Sequence, residues 1–454
     1  MRPGRDAARQ TPYAACPVAG IRHPRVACDS LVALGNSTAD GSVLFAKNSD
    51  RPAHECQPLV QLPALDHPAG SPLRCQYVEI PQVVHTARLI GSRPFWLWGF
   101  EHGVNEHGVA IGNHTVFTRD PLPSIGLTGM DLVRLGLERA TDAEAAVAVI
   151  TGLVEEHGQG GSGYFDKDWP YHNSFLIADT RRALLLETSA RNWALREIAD
   201  VGSASNHLSI GSSWTALSPQ AVAHACAQGW WEGDARGRFD FAAAYRDTEL
   251  APEVISSGRY RRSCELLAEH RGRITPSILR EALRDHYGRV SHACGDTPAD
   301  ETYFALCMHA DPVGTTTASI VARLPAGSDD IVRCWAALGS PCASTFLPCY
   351  LDGQLPAVLG RGGEKPSDDS PWWMFHRLRS IVETDPDRLA PQVRAHWAEF
   401  ETRALDRAEA TEAEALDRRR RGDRDGAAQA LTRVMHELVD AALESARGLV
   451  QRLS

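Results

Sequence analysis

An apolar run at 31–34, entered through Ala27-Cys28-Asp29-Ser30, is followed by the turn-prone cluster Gly35-Asn36-Ser37-Thr38-Ala39-Asp40-Gly41 and a second apolar run at 42–46. Two short apolar runs separated in this way predict a hairpin with a longer loop than the two-residue kind. Its first strand begins at the cysteine, and its second carries Lys47, Asn48 and Asp50 off its end, near the start of the first. A thiol at a strand tip beside charged and amide groups is a setting for nucleophilic catalysis.

Downstream, prolines break 58–81, with strands expected at 75–80 and 83–90. The aromatic cluster Phe95-Trp96-Leu97-Trp98-Gly99-Phe100 leads to a turn at 105–108, a short strand at 109–111 and polar side chains at its exit. From 127 to 157 the period becomes helical, through Leu132, Leu135, Ala146, Val149, Ile150 and Leu153. The interruption at Thr141-Asp142 supplies a second N-cap, so two helices packed on a sheet are expected. The glycine-rich loop 158–163 has no following Lys-Ser/Thr and opens no helix, which argues against a phosphate cradle. A second hairpin is expected over 174–178 and 183–188, then a strand at 193–198, a mostly helical interval at 218–288, and strands at 302–308, 317–323 and 331–337. After a proline- and glycine-rich stretch at 339–371, the tail 372–453 reads as helical. Its apolar stripe includes Leu431, Val434, Leu438, Ala441 and Leu443, and a polar break at 421–426 suggests two antiparallel helices. The succession predicts a layered α+β fold with a C-terminal helical appendage.

Composition narrows the functional classes. A chain of 454 residues buries a substantial core. Its net charge of −10, with no basic stripe interleaved with aromatics, argues against nucleic-acid binding. The dense basic run at 418–421 reads as a solvated helical face. No apolar run approaches a membrane span. The arginine-rich segment ahead of Cys28 lacks the continuous apolar core of a signal peptide, and reads as a disordered leader, a propeptide or the product of an upstream start site. Eleven cysteines at scattered spacings, with no Cys-x-x-Cys pair, suit reduced thiols in a cytoplasmic protein. His102, His107, His172 and His309 match no ligand spacing, so no metal and no other cofactor is expected. Trp96, Trp98, Trp372 and Trp373 read as core.

Cys28 stands apart from the other thiols. If the chain were cut between Ala27 and Cys28, the thiol would share its residue with a free α-amine. An amine of pKa about 8 is partly neutral near pH 7 and can take the thiol proton. No separate histidine base is then required.

The chain resembles the secernin and dipeptidase-A group, peptidase family C69, within the N-terminal-nucleophile hydrolases. The resemblance rests on Cys28-Asp29-Ser30-Leu31-Val32-Ala33-Leu34, Phe45-Ala46-Lys47-Asn48-Ser49-Asp50-Arg51-Pro52 and Trp98-Gly99-x-Glu101-x-Gly103-x-Asn105-Glu106-x-Gly108-Val109. Further matches are the run 129–139, Gly158-Gln159-Gly160-Gly161, Tyr171-His172-Asn173-Ser174-Phe175, Leu186-Glu187-Thr188, Cys307-Met308-His309, Thr316-Thr317-Ala318-Ser319 and Trp372-Trp373. It implies an αββα sandwich of two antiparallel sheets over 28–377 and a leader at 1–27 lost by autoprocessing; the remaining 378–454 is the helical segment read from the tail's own pattern.

The activity implied is that of a cysteine amidohydrolase acting on dipeptides or related small amides. An acyltransferase with the same nucleophile and a non-catalytic secernin-like interaction protein are the alternatives. By the same resemblance Cys28 is nucleophile and α-amine base, Asp50 holds or orients that amine, and Asn113 and Asn206 supply amide groups for the oxyanion. Lys47, where bile-salt hydrolases carry arginine, and Arg259 would lie on the substrate side, with Arg262 a competing choice for the latter. The expected partner is a small peptide or acyl amide, without nucleic acid or membrane; homo-oligomerisation is left open.

Overall fold

The computed structural model describes residues 27–233, 238–249, 255–291, 301–311, 313–325, 327 and 330–454. Apart from Ala27, the expected leader lies outside the described residues. The expected hairpin is present as β1 (Ala27–Ala33) and β2 (Val43–Arg51), and every residue of both strands is buried. β3 (Leu59–Leu62) is followed by two small ladders, in which β4 (Leu65–Asp66) pairs with β7 (His85–Thr86) and β5 (Pro72–Arg74) with β6 (Glu79–Pro81). Next come β8 (Leu89–Ser92), β9 (His102–Asn105) and β10 (Ala110–Val116), then helices α1 (Gly129–Arg139) and α2 (Ala143–His157). Five strands follow: β11 (His172–Ala178), β12 (Ala183–Ser189), β13 (Asn192–Ile198), β14 (Val201–Ala204) and β15 (Ala216–Leu217). The middle helices are α3 (Ala221–Ala227), α4 (Phe241–Tyr245), α5 (Ser257–Glu269) and α6 (Pro276–Leu283). The chain closes with β16 (His309–Ala310), β17 (Gly314–Leu324), β18 (Arg333–Leu338), β19 (Leu347–Tyr350), α7 (Pro371–Val382), α8 (Pro386–Arg420) and α9 (Arg424–Leu453).

The strands form two antiparallel sheets. One has the order β14-β1-β2-β17-β18-β19, with β16 on β17; the other runs β15-β13-β12-β11-β10-β9-β8-β3. Side chains alternate across each strand, which divides the apolar residues into layers. Val32, Phe45, Ile320 and Ala336 meet Val104, Ala110, Leu176 and Leu185 between the sheets. Leu31, Leu44, Ala46 and Val321 face outward onto Leu267 of α5 and Leu279 and Leu283 of α6. Ile111, Phe175, Ile177 and Leu186 face the other way, onto Leu132, Leu135 and Leu137 of α1 and Ile150 of α2. The result is the expected αββα sandwich of α+β class.

Local chemistry starts the helices where the sequence indicated. Thr128 caps α1 in a reciprocal box with Asp131, and Asp142 accepts from the Ala145 amide at the start of α2. The tail breaks between α8 and α9 around Gly422, whose φ of +84° suits glycine.

Several expectations are corrected. The apolar stretch 302–308 is not a strand: Glu301–Tyr303 is a 3-10 turn and pairing begins only at His309. Its backbone is held by contacts other than strand pairing, with Leu306 O accepting from the Asn48 side chain of β2 through Nδ2 at 2.7 Å and the Cys307 amide donating to Asp285 O at 3.2 Å. Of the strand expected at 75–80, the first part is a turn closed by Cys75 N to Val78 O at 2.9 Å and pairing begins only at Glu79 in β6, while the one at 83–90 is split between β7 and β8. β10 extends to Val116, well beyond 111, because β11 pairs along its whole length. β19 lies inside the stretch assigned to loop, while the interval expected to be mostly helical, 218–288, holds α3 to α6 among its described residues. The expected domain boundary after Arg377 falls inside α7, and residues of α7, α8 and α9 share the cluster that fills the inter-sheet space. Among the described residues, no helix is long and apolar enough to cross a membrane.

Candidate active site

The register of β1 on β2 sets Cys28 opposite Ser49, Ser30 opposite Lys47, Asp29 opposite Asn48 and Ala27 opposite Asp50. Paired residues share a face, so Cys28, Ser30, Lys47 and Ser49 line the inter-sheet side, while Asp29, Asn48 and Asp50 belong to the side covered by helices. One strand pair therefore carries a thiol and a lysine on one surface and two carboxylates on the other.

Cys28 is 3 % exposed. Burial pushes its thiol up to about 11; Lys47 opposes that rise, while Glu101 and Asp50 add to it. Lys47 is fully buried with its Nζ 3.7 Å from Glu101 Oε2, beyond hydrogen-bond reach. Space for its stem comes from Gly112 on the facing sheet, where an added Cβ would overlap Lys47 Cδ. Arg51 completes this cluster, with Nε 2.5 Å from Glu55 Oε2, Nη1 3.3 Å from Glu101 Oε1, and Nη2 donating to Gly163 O at 2.6 Å.

On the other surface, α5 delivers Arg259, fully buried, to both carboxylates. Its Nη1 pairs with Asp29 Oδ2 and lies 3.8 Å from Asp50 Oδ2. Nη2 donates to Asn206 Oδ1 at 2.8 Å, and Nε is anchored on Ile255 O at 2.8 Å. Asn206 Oδ1 also accepts from the backbone N–H of Cys28 at 2.8 Å. Asp50 Oδ1 accepts from Thr316 Oγ1 at 2.6 Å, whereas Oδ2 accepts no hydrogen bond from the described residues. A register shift in the β2–β17 ladder between Thr316 and Ala318 accompanies this contact and aims Thr316 at Asp50. Burial raises the Asp50 carboxyl to about 7; Arg259 opposes the rise and Asp29 adds to it. Asp29 is raised as well, by burial, against the pull of Arg259. Two buried carboxylates thus share one guanidinium.

The two asparagines occupy different settings. Asn206 commits one N–H to Thr115 O at 3.0 Å and turns its carbonyl toward Cys28 N and Arg259. Asn113, on β10, has its amide between Glu101 and Asn173; with the nitrogen toward Glu101 it donates to Glu101 O and Oε2 at 3.0 Å each. Cys28, Asp50, Asn206 and Arg259 form one connected group, Lys47 joins Glu101 on the inter-sheet face, and Asn113 belongs with that second cluster through Glu101. Arg262 is directed elsewhere, to Asp285 at 2.8 Å.

Asp29, Glu101, Thr115 and Thr316 were absent from the sequence reading of the site. Asp29 could have been found, because a carboxylate inside a continuous buried strand needs a cationic partner. Glu101 and Thr316 stood in runs that carried the resemblance without a role of their own, and Thr115 is brought to Asn206 by contact between stretches far apart in the sequence.

No protein-family model matches the chain. Among solved structures, the chain is similar to a mutant of conjugated bile acid hydrolase from Clostridium perfringens, with 13% identity and a TM-score of 0.38 over 67% of this chain and 88% of that one. Penicillin V acylase from Agrobacterium tumefaciens gives 13% identity and a TM-score of 0.41 over 71% and 86%. The Caenorhabditis elegans ortholog of N-acylethanolamine-hydrolyzing acid amidase gives 11% and 0.35 over 66% and 94%. Similarity this distant carries no argument about chemistry, which has to come from the site.

Proposed function

We propose that this protein is a cysteine amidohydrolase whose nucleophile, Cys28, becomes N-terminal by self-cleavage of the Ala27–Cys28 bond. The observation that carries the reading is the surroundings of the Cys28 nitrogen. It lies 2.8 Å from Asn206 Oδ1 in a group where Asp29 and Asp50 outnumber Arg259. A new α-ammonium at that nitrogen would supply the missing positive charge, and Asp50 Oδ2 is available to receive it.

In self-cleavage the Cys28 sulfur bonds to the Ala27 carbonyl carbon, the C–N bond breaks, and the thiol proton passes to the departing nitrogen. Water then hydrolyses the thioester and releases the leader as a carboxylate. In the mature enzyme the α-amine takes the thiol proton, and the thiolate attacks a substrate amide. The ammonium protonates the leaving nitrogen, and the amine then activates water against the acyl-thioester. Lys47 acts by holding positive charge beside the thiolate. Asn206 orients the amine through Oδ1, and its second N–H is the one left for an oxyanion.

Dipeptides and related small amides are the proposed substrates, on the resemblance to the secernin and dipeptidase-A group, and the cytoplasm is the proposed setting. Intact-mass analysis of the wild-type protein is expected to show an N-terminus at Cys28, and a dipeptide panel is expected to give hydrolysis by that form. Cys28→Ala should retain Ala27 and lose hydrolysis. Amide cleavage by a wild-type chain that still carries Ala27, or by Cys28→Ala, would overturn the proposal.

A further inference from the structure

Away from the Cys28 site, the turn after α6, the segment entering β16 and the turn after β18 bring four metal-ligating side chains together. Ligand atoms of His286, Cys307, His309 and Cys342 all lie within 4.8 Å of one another. His309 Nε2 is 3.5 Å from Cys307 Sγ and 3.2 Å from Cys342 Sγ. Tetrahedral zinc, with bonds of about 2.3 Å to sulfur and about 2.0 Å to nitrogen, separates such atoms by about 3.5 Å. The other nitrogen of the same ring, Nδ1, is 3.2 Å from Glu383 Oε1 at the end of α7. A carboxylate accepting from the distal N–H fixes the tautomer and orientation of a metal-bound histidine.

We propose that His286, Cys307, His309 and Cys342 form a structural site of two thiolates and two imidazoles for a divalent, thiolate-binding ion, of which zinc fits the donor set best. Two sulfurs and two imidazole nitrogens close a tetrahedron without an open position for substrate or water, so the ion holds structure and takes no part in bond breaking. Its ligands were invisible as a motif because three separate stretches of chain supply them. His309 joins His286 and two cysteines, not His172.

The site has a mechanical connection to the catalytic group. Asn48 Nδ2 donates to Leu283 O at 2.8 Å and to Leu306 O at 2.7 Å, gripping both the end of α6 and the approach to Cys307. Between the ligands Cys307 and His309, the Met308 amide donates to Thr316 Oγ1 at 2.8 Å, and that hydroxyl donates to Asp50 Oδ1 at 2.6 Å. An ion fixing 307–309 therefore fixes the donor that orients Asp50, and the four ligands act as positioning residues.

The test uses the full chain purified under reducing conditions without chelator. Elemental analysis is expected to find one zinc per chain, and cobalt titration of the chelator-stripped protein should saturate at one equivalent with thiolate-to-cobalt charge-transfer bands. Cys342→Ser should lower that intensity by about half and weaken cobalt binding roughly tenfold or more. Cys226→Ser, an exposed thiol elsewhere, should change neither. Folded wild-type protein that retains no zinc after loading, or whose cobalt form lacks the charge-transfer bands, would overturn the proposal whatever the variants do. Recovery of a Cys307–Cys342 disulfide from the reduced preparation would do the same.

Discussion

The pleat of β2 separates two buried charged groups only a strand's thickness apart, and they are built on different principles. On the inter-sheet face Lys47 and Arg51 meet Glu55 and Glu101, so formal charges cancel and Arg51 is held by several acceptors. On the helix-facing side Asp29 and Asp50 share Arg259, and one oxygen of each carboxylate, Asp29 Oδ1 and Asp50 Oδ2, accepts no hydrogen bond from the described residues. A balanced cluster can be sealed at synthesis and left alone. An unbalanced one is stable only with a proton or an added cation, which makes it sensitive to any reaction at the Cys28 nitrogen.

The largest effect should come from taking the single cation out of the unbalanced group. Arg259→Met leaves Asp29 and Asp50 buried together, and a loss of about 3–5 kcal/mol is expected from stranding a buried charge partner. Retention of Ala27 should accompany it, because Asn206 loses the donor that orients it. Glu55→Gln in the balanced group leaves Glu101 beside both Lys47 and Arg51 and Gly163 O on Arg51, so a smaller loss of about 1–3 kcal/mol is expected. Urea unfolding with intact-mass analysis measures both. Equal losses would erase the distinction between the two groups.

Next in size is a pH effect on the unprocessed chain, studied as Cys28→Ala. Asp50 rises from an ordinary 3.8 to about 7 in the folded state, so the folded chain holds a proton that the unfolded chain has released between those values. Its contribution to stability is full below 3.8 and is lost as pH rises through about 7. His102, His114 and His172, which burial keeps neutral, impose the opposite slope. The difference between Cys28→Ala and Cys28→Ala/Asp50→Asn isolates the carboxyl: melting curves from pH 4.5 to 8 should converge at the acid end and diverge toward pH 8, where the asparagine form is the more stable. Parallel curves would show that Asp50 does not carry the imbalance.

The inter-sheet group offers a steric counterpart. Lys47→Arg keeps the charge but brings a wider head into space that Gly112 leaves for a lysine stem. Overpacking of about 1–3 kcal/mol is expected, with kcat/KM reduced and Cys28 still N-terminal. Thermal unfolding and dipeptide kinetics on the same sample separate the two. An arginine form as stable as wild type would mean that the Gly112 contact does not restrict this side chain.

How much of this was readable beforehand follows from how local each signal is. The β1–β2 hairpin announced itself through its turn cluster, α1 and α2 through the break and cap at Thr141-Asp142, and α8–α9 through the polar break before Arg424. The stretch 302–308 misled because apolar content alone does not distinguish a strand from a buried segment, and its carbonyl partner, Asn48, sits far back in the sequence. Cys28 and Asp50 stood out through the hairpin and Asn206 and Arg259 through a resemblance, whereas Asp29 and Thr316 depend on α5 packing over β1 and on β17 pairing with β2. Asn206 illustrates the limit of reading residue type alone: an amide expected to donate toward an oxyanion has its carbonyl, not its nitrogen, against the Cys28 amide.

The smallest expected effect tests whether position on α5 or mere positive charge defines the site. Arg262 lies three residues beyond Arg259 but pairs with Asp285 through two contacts of 2.9 and 2.8 Å, at a side chain still 23% exposed. Asp285 also accepts from the Tyr287 and Gly288 amides, so it keeps partners when Arg262 is removed. Arg262→Ala is therefore expected to cost no more than about 1 kcal/mol, in line with partly exposed ion pairs, and to leave the Cys28 N-terminus and the pH profile unchanged. Intact mass and a pH series on Arg262→Ala, run beside Arg259→Met, would detect a failure of that expectation: retention of Ala27 in both would mean that α5 contributes a diffuse positive field, and that the contacts of Arg259 with Asp29 and Asn206 are not what matters.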